Sequence, residues 1–159
     1  MAINKYQPHV LVLPEDDANR QLATGFVLEV TYPRRIQILP EAGGWRNVCS
    51  LFHSEHLAGM RKYQDRHVIL LLDFDDQTGR RAEIMLEIPE DLKSRVFVLG
   101  VRSEPEALKS AGLGSLEDVG TTLAKECRDR DREIWLHDLL NENVPEIDRL
   151  EQAVRTLLF

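Results

Sequence analysis

The sequence predicts an open α/β fold, in which a mostly parallel, four-stranded sheet carries helices on both faces. Two observations lead to this prediction. Short apolar runs rich in β-formers alternate with segments whose apolar residues recur every three or four positions. The run over residues 68–72 is apolar at every position, which is typical of a strand buried on both faces of a parallel sheet. Such alternation favours right-handed crossovers between parallel strands.

Four strands are predicted, and each is followed by a turn or by polar residues. They cover residues 9–13, 36–39, 68–72 and 96–101. Pro14 and Pro40 end the first two, because proline lacks the backbone N–H that a longer ladder needs.

The segments between the strands have the apolar spacing of helices. Ala18, Leu22 and Phe26 are four residues apart and predict a helix over residues 16–30. The second helical segment is marked by Trp45, Val48, Phe52, Leu57 and Met60. A shorter helix is predicted over residues 80–86.

After the fourth strand, the predicted structure is wholly helical. A short helix covers residues 105–111, a second begins at Ser115 with Asp118 as a capping partner, and a last one begins near Pro145. No linker separates this tail from the rest of the chain. We therefore predict a single domain over residues 1–159, with an α/β core over about 8–112 and a helical extension over about 113–159. The extension packs on the sheet or forms a homo-oligomer interface.

Composition excludes several classes of protein. The chain has 20 Lys and Arg against 27 Asp and Glu, and its net charge of −7 argues against a general nucleic-acid coat. Its aliphatic runs are far shorter than the roughly 20 residues of a membrane helix. The N-terminus lacks the apolar stretch of a signal peptide, and the two cysteines form no C-x-x-C pair. We expect a cytoplasmic protein that does not enter a membrane.

Acidic residues follow every predicted strand. They are Glu15, Asp16 and Asp17 after the first, Glu41 after the second, Asp73, Asp75 and Asp76 after the third, and Glu104 and Glu106 after the fourth. The carboxyl ends of parallel strands meet at one edge of the sheet, where ligands bind in open α/β folds. Clustered carboxylates must share protons or a cation, and their oxygens suit Mg²⁺ or Mn²⁺. The D-x-D spacing of Asp73 and Asp75 would align the two side chains if the strand continues that far.

Capping offers another interpretation of some of these acids. Asp16 or Asp17 is a natural helix N-cap, and Ser103 with Glu106 fits a capping box. Asp73 and Asp75 have no such simple explanation, because they directly follow a fully apolar strand.

Glu15, the Asp73-x-Asp75 pair and the strand–helix order together resemble a Toprim domain over residues 8–112. The segment from Ser103 to Glu106 is similar to the Toprim domain of the OLD-family nucleases and of small stand-alone bacterial relatives. This resemblance implies that Glu15, Asp73 and Asp75 are catalytic, with Glu15 as a general base or a metal ligand and Asp73 and Asp75 as magnesium ligands. It also implies that Glu104 or Glu106 supports a second metal. It implies a magnesium-dependent nuclease or phosphodiesterase that contacts nucleic acid through its metal.

The chain departs from that family at several points. The acid that such nucleases have four residues after the first one is replaced by Asn19, and no lysine is clearly placed as the late basic residue. No P-loop motif is present, so we expect any ATPase or other effector to be a separate partner. Arg80 and Arg81 follow the D-x-D loop and are weak candidates for contacts to a substrate phosphate.

Two alternatives stay open. The segment that begins with Glu15 and Asp16 also resembles the start of a response-regulator receiver domain, in which Asp73 or Asp75 would accept phosphate and Ser103 would supply the hydroxyl group. A receiver needs a fifth strand that ends in lysine, and the sequence predicts helices there. The other alternative is a non-catalytic interaction subunit that keeps the fold.

Overall fold

The computed structural model describes residues 3–159, and its sheet is wholly parallel. The strands are β1 (His9–Pro14), β2 (Ile36–Ile38), β3 (Arg66–Asp73) and β4 (Val96–Val101). Their order in the sheet is β2-β1-β3-β4, with β1 and β3 at the centre. The predicted open α/β fold is therefore confirmed. The third strand is longer than predicted at both ends.

Seven α-helices lie within residues 3–159. They are α1 (Asp17–Leu28), α2 (Trp45–Leu51), α3 (Leu57–Lys62), α4 (Arg80–Leu86), α5 (Glu106–Ser110), α6 (Leu116–Asp129) and α7 (Val144–Leu158). A π-helical turn over Phe52–His56 joins α2 to α3, so the predicted second helix is present but changes its hydrogen-bond pattern midway. None of the helices in the described range is long and apolar enough to cross a membrane.

The sheet has an apolar layer on each face, because successive residues of a strand point to opposite sides. Val10 and Val12 of β1 pack with α1, α6 and α7. Leu11 and Leu13 pack on the other side with α2, α3 and α4. The strands are therefore hydrophobic throughout, as the sequence predicts for a sheet covered on both faces.

Two of the three predicted helix caps are confirmed. The Asp16 side chain accepts a hydrogen bond from the backbone N–H of Asn19 at the start of α1. Ser115 and Asp118 form a complete capping box at the start of α6. The capping box predicted for Ser103 and Glu106 is wrong, because Pro105 is the N-cap of α5 and makes no side-chain cap.

The C-terminal helices lie against the sheet. The Asn143 side chain accepts from the backbone N–H of Gly100 (3.0 Å) and donates to the carbonyl oxygen of the same residue (2.7 Å). Glu146 Oε2 accepts from the backbone N–H of Val98 at 2.8 Å. These side chains take the place of a neighbouring strand along the outer edge of β4, whose unpaired N–H and C=O groups would otherwise be left buried.

Candidate active site at the carboxyl edge of the sheet

The strand order puts the topological switch point of the sheet between the carboxyl ends of β1 and β3, which is the position of the crevice in open α/β sheets. The connection that follows β1 runs through α1 on one face, whereas the connection that enters β3 runs through α2 and α3 on the other. In open parallel sheets, ligands bind where successive crossovers diverge in this way. Glu15 directly follows β1, and Asp73 ends β3. Both predicted site residues therefore lie at this crevice.

Glu15 is held in place by its backbone and by its side chain. Its backbone N–H donates to the carbonyl oxygen of Leu71 at 2.8 Å, which extends the pairing of β1 with β3 by one residue. Its carbonyl oxygen accepts from the N–H groups of Gly43 (2.8 Å) and Gly44 (3.3 Å). Its Oε2 atom accepts from the backbone N–H of Asp73 at 2.6 Å. The carboxylate, on a residue only 9% exposed, is thereby oriented toward the end of β3.

Asn19 links Asp73 to the start of α1. Its Nδ2 atom donates to Asp73 Oδ1 and to Asp16 Oδ1, both at 2.9 Å. Because both amide hydrogens are used by carboxylates, the orientation of the amide is determined and its Oδ1 atom faces elsewhere. That oxygen is buried and has no hydrogen-bond partner in the described part of the chain. An acceptor of this kind is suited to a water molecule or a cation.

The pKa values of the two carboxyl groups reflect this burial. Burial raises the pKa of Asp73 to about 7, and the negative charges of Glu15, Asp16 and Asp75 act in the same direction. The hydrogen bond from Asn19 opposes this rise in pKa. Burial also raises the pKa of Glu15, and the backbone N–H of Asp73 opposes that shift. Ionising both groups together is therefore costly unless a cation lies beside them.

Asp75 follows the end of β3. Its alignment with Asp73 was expected only if the strand continued that far, and this condition is not met, because β3 ends at Asp73 and the next turn has left-handed backbone angles at Asp75 (φ 49°) and Asp76 (φ 57°). Asp75 is half-exposed and forms an ion pair with Arg80 at 3.0 Å. Its charge still raises the pKa of Glu15 and of Asp73. It thus belongs to the electrostatic environment of the site.

Arg80 and Arg81 have different surroundings. The Arg80 guanidinium lies over the Trp45 ring, 4.4 Å from its centre, and keeps its ion pair with Asp75 beside the crevice. Arg81 turns toward the C-terminal region, where it donates to the carbonyl oxygen of Glu142 and to Asn143 Oδ1. Of the two candidate phosphate ligands, Arg80 is the one placed next to the acidic residues.

The remaining acids contribute less to the crevice. Glu106 is exposed in the first turn of α5 and is not among the charges with the largest effect on Glu15 or Asp73. Glu41 lies 3.7 Å from Arg20 in an exposed ion pair. Asn19 is the main residue that sequence reasoning missed, since the pattern identified it only as a departure from a family motif.

The side-chain oxygen atoms of Glu15, Asp73 and Asn19 are of the kind that magnesium binds. Within residues 3–159, no three His, Cys, Asp or Glu side chains are grouped so that they could hold a metal ion. Magnesium commonly binds through only one or two carboxylates and completes its shell with water and substrate phosphate. The Glu15 and Asp73 pair, with the unpartnered Asn19 oxygen beside it, meets this smaller requirement. It does not provide an all-protein cage for a softer metal.

Comparison of the chain with protein-family models, with curated proteins and with solved structures finds no match. The function is therefore inferred from the arrangement of Glu15, Asp73 and Asn19, and from the resemblance of the sequence motifs to a known family.

Proposed function

We propose that this protein is a Toprim-like, divalent-metal-binding protein that cleaves phosphodiester bonds at the crevice between β1 and β3. The observation that carries this proposal is the coupled pair of nearly buried carboxyl groups, Glu15 and Asp73, at the point where the crossovers diverge. Two carboxyl groups that are costly to ionise together without a cation are suited to binding a divalent cation. Mg²⁺ or Mn²⁺ is the ion whose ligand preferences match this pair.

In this proposal each residue has a distinct role. Glu15 and Asp73 would hold the metal ion through their carboxylate oxygens, and Asn19 would keep the Asp73 carboxylate in its orientation. When bound, the ion would polarise a phosphodiester oxygen as a Lewis acid. Arg80, held between Asp75 and the Trp45 ring, would contact a neighbouring phosphate of the substrate.

Metal binding is tested by thermal unfolding during a magnesium or manganese titration. A ligand that binds only the folded state stabilises it in proportion to the logarithm of its concentration, once its dissociation constant is exceeded. We expect the melting temperature of the wild-type protein to rise with the logarithm of the metal concentration, and that of Asp73→Asn or Glu15→Gln to stay constant. Asp91→Asn is the matched control, because Asp91 is exposed and pairs with Arg61 on another surface. No rise for the wild type, or equal rises for all variants, would overturn the metal site.

Catalysis is tested separately, with plasmid and single-stranded DNA as substrates in the presence of manganese. We expect cleavage by the wild type and its loss in Asp73→Asn. If the protein binds metal and leaves both DNAs intact, the non-catalytic interaction subunit becomes the better interpretation. The same assay repeated with an ATPase partner would then be the relevant measurement.

A receiver-like phospho-acceptor is the second candidate. The order β2-β1-β3-β4 is also that of the first four strands of flavodoxin-like proteins and receivers, and Asp73 ends β3 beside Glu15 and Asp16. The edge of β4, where a receiver has its fifth strand, is instead bonded to Asn143 and Glu146. Incubation with acetyl phosphate and magnesium distinguishes the two functions, because a stable phosphoryl adduct on Asp73 or Asp75 would overturn the nuclease proposal.

We also propose that the protein works in a reducing cytoplasm. The support for this compartment is that Cys49 and Cys127 are buried, unpaired thiols, and that burial raises the pKa of Cys49 to about 11.

A further inference from the structure

At the amino edge of the sheet, opposite the acidic crevice, Arg66 is a cation without an anionic partner. Arg66 begins β3 and is only 7% exposed. Its Nε atom donates to His9 Nε2 at 2.9 Å, and its guanidinium lies over the Tyr63 ring, 4.7 Å from the ring centre. Within residues 3–159, its other N–H groups have no hydrogen-bond acceptor, and no carboxylate forms an ion pair with it.

His9 cannot neutralise this charge. Arginine can only donate, so His9 Nε2 must accept, and the ring proton is on Nδ1, which donates to the carbonyl oxygen of Gln7 at 2.7 Å. The imidazole is therefore neutral. Burial and the positive charge of Arg66 both lower the pKa of His9, which keeps the ring in this form.

The groups around Arg66 are of both signs. Lys62 lies over the same Tyr63 ring, with its Nζ atom 5.4 Å from the ring centre. Arg95 donates to the backbone carbonyl oxygens of Met60, Tyr63 and Arg66. The negative charge of Asp65 opposes the lowering of the His9 pKa, but within residues 3–159 neither Asp65 nor another carboxylate forms an ion pair with Arg66. Nearly buried charges are normally paired, because an unpaired one loses its hydration without compensation.

The fold also makes room for the guanidinium. A Cβ atom at Gly59 of α3 would lie 2.5 Å from Arg66 Nη1, so the absence of a side chain there lets the guanidinium approach the helix. Gly59, Tyr63 and His9 together hold the guanidinium on three sides. An arginine oriented in this way offers its remaining N–H groups as a fork, which matches two oxygens of a phosphate group.

We propose that Arg66 is the centre of a phosphate-binding site at the amino edge of the sheet, oriented by His9, Tyr63 and Gly59. The ligand is inorganic phosphate or the phosphomonoester group of a larger molecule. This site lies at the end of the strands opposite to Glu15 and Asp73, so it is independent of the proposed metal site.

The test is thermal unfolding of the full chain with increasing sodium phosphate, at constant ionic strength set with sodium chloride and with EDTA present. We expect the melting temperature of the wild type to rise with the logarithm of the phosphate concentration. Arg66→Met keeps the aliphatic stem and removes the charge. We expect it to raise the apparent dissociation constant for phosphate by about tenfold or more. Arg61→Met is the control, since Arg61 is an exposed neighbour on α3 that pairs with Asp91, and it should respond like the wild type.

Gly59→Ala provides a second, independent variant. Alanine favours a helix, so the fold should persist, but the added methyl group displaces the Arg66 guanidinium and should weaken the phosphate response. Phenyl phosphate in place of inorganic phosphate separates the two sources, because tighter binding of the ester indicates a phosphomonoester of a larger molecule. The proposal is overturned if phosphate does not raise the melting temperature of the wild type, or if Arg66→Met and Gly59→Ala both respond like the wild type.

Discussion

The backbone N–H of Asp73 donates a 2.6 Å hydrogen bond to Oε2 of Glu15, and this contact joins the carboxyl ends of β1 and β3. It brings together two residues that are 58 positions apart in the chain. Because both lie at the end of a buried strand, neither carboxyl group is well hydrated. The chemistry of the crevice follows from this one arrangement.

The first prediction concerns the pH dependence of stability in EDTA. The pKa of Asp73 is raised from 3.8 to about 7 in the folded protein. Between about pH 4 and pH 7 the folded state therefore holds a proton that the unfolded state has lost, so the free energy of unfolding falls as pH rises through this window. Asp73→Asn should reduce this fall and stabilise the protein at about pH 8, by roughly 2–4 kcal/mol. Urea unfolding at several pH values measures the free energy of unfolding of the wild type and of Asp73→Asn, with Asp91→Asn as the control. Equal slopes in the wild type and Asp73→Asn would contradict the assignment.

The second prediction concerns Asn19. Asn19→Asp removes the amide that donates to Asp16 and Asp73, and adds a third carboxylate to the crevice. Without metal, like-charge repulsion and the lost hydrogen bonds should lower the stability by about 2 kcal/mol or more. With magnesium, the extra ligand should give a larger rise in melting temperature than the wild type shows. A variant that is destabilised and gains nothing from magnesium would argue against a metal at this position.

The third prediction concerns the covered edge of β4. Asn143→Ala removes both side-chain hydrogen bonds to Gly100, and we expect a loss of about 2–3 kcal/mol. In hydrogen-exchange measurements, the Gly100 amide should exchange faster because it has lost its local acceptor. The Leu70 amide, in the centre of the sheet, should exchange faster only to the extent that the whole protein is less stable. Asn141→Ala is the control, since Asn141 accepts only from the partly exposed Arg102 side chain. Unchanged exchange at Gly100 would show that another group covers the edge.

The fourth prediction concerns the contact between α1 and α6. A Cβ atom at Gly120 would overlap the carbonyl oxygen of Leu22, and one at Gly25 would overlap that of Glu117. Each glycine therefore allows the two helices to approach closely, and Gly120→Ala should destabilise the protein by about 2 kcal/mol or more. Gly79→Ala is the matched control, because a Cβ atom there meets nothing within 4 Å. Equal melting temperatures for the two variants would contradict this packing.

Local patterns predicted the strands and most of the helices. The apolar run over residues 68–72 indicated a strand buried on both faces, and β3 indeed contributes Ile69 to the apolar layer on one face and Leu70 to that on the other. Ser115 with Asp118 predicted a cap that the structure contains, because such caps depend on residues only three positions apart. The error at Ser103 and Glu106 arose where Pro105 lies between them and becomes the N-cap itself.

The acids of the crevice were predicted only in part. Glu15 and Asp73 were chosen from their positions after apolar strands, which requires only that the sheet be parallel. The D-x-D spacing suggested an equal role for Asp75, but a strand's alternation ends where the strand ends, and the left-handed turn after Asp73 breaks it. Asn19 was noticed only as a departure from a family motif, because its importance depends on a contact with Asp73, which is 54 residues away.

The sequence by itself determined the fold class, since strand and helix periodicities are local and the hydrophobic effect then requires helices on both faces of so apolar a sheet. Only the tertiary structure decided the strand order, the coupling of Glu15 with Asp73, and the lack of an ion pair to Arg66 within residues 3–159. The physical reason is that burial and pairing depend on residues far apart in the chain. A side chain's charge can be read from its identity, whereas the cost of that charge depends on the groups that surround it.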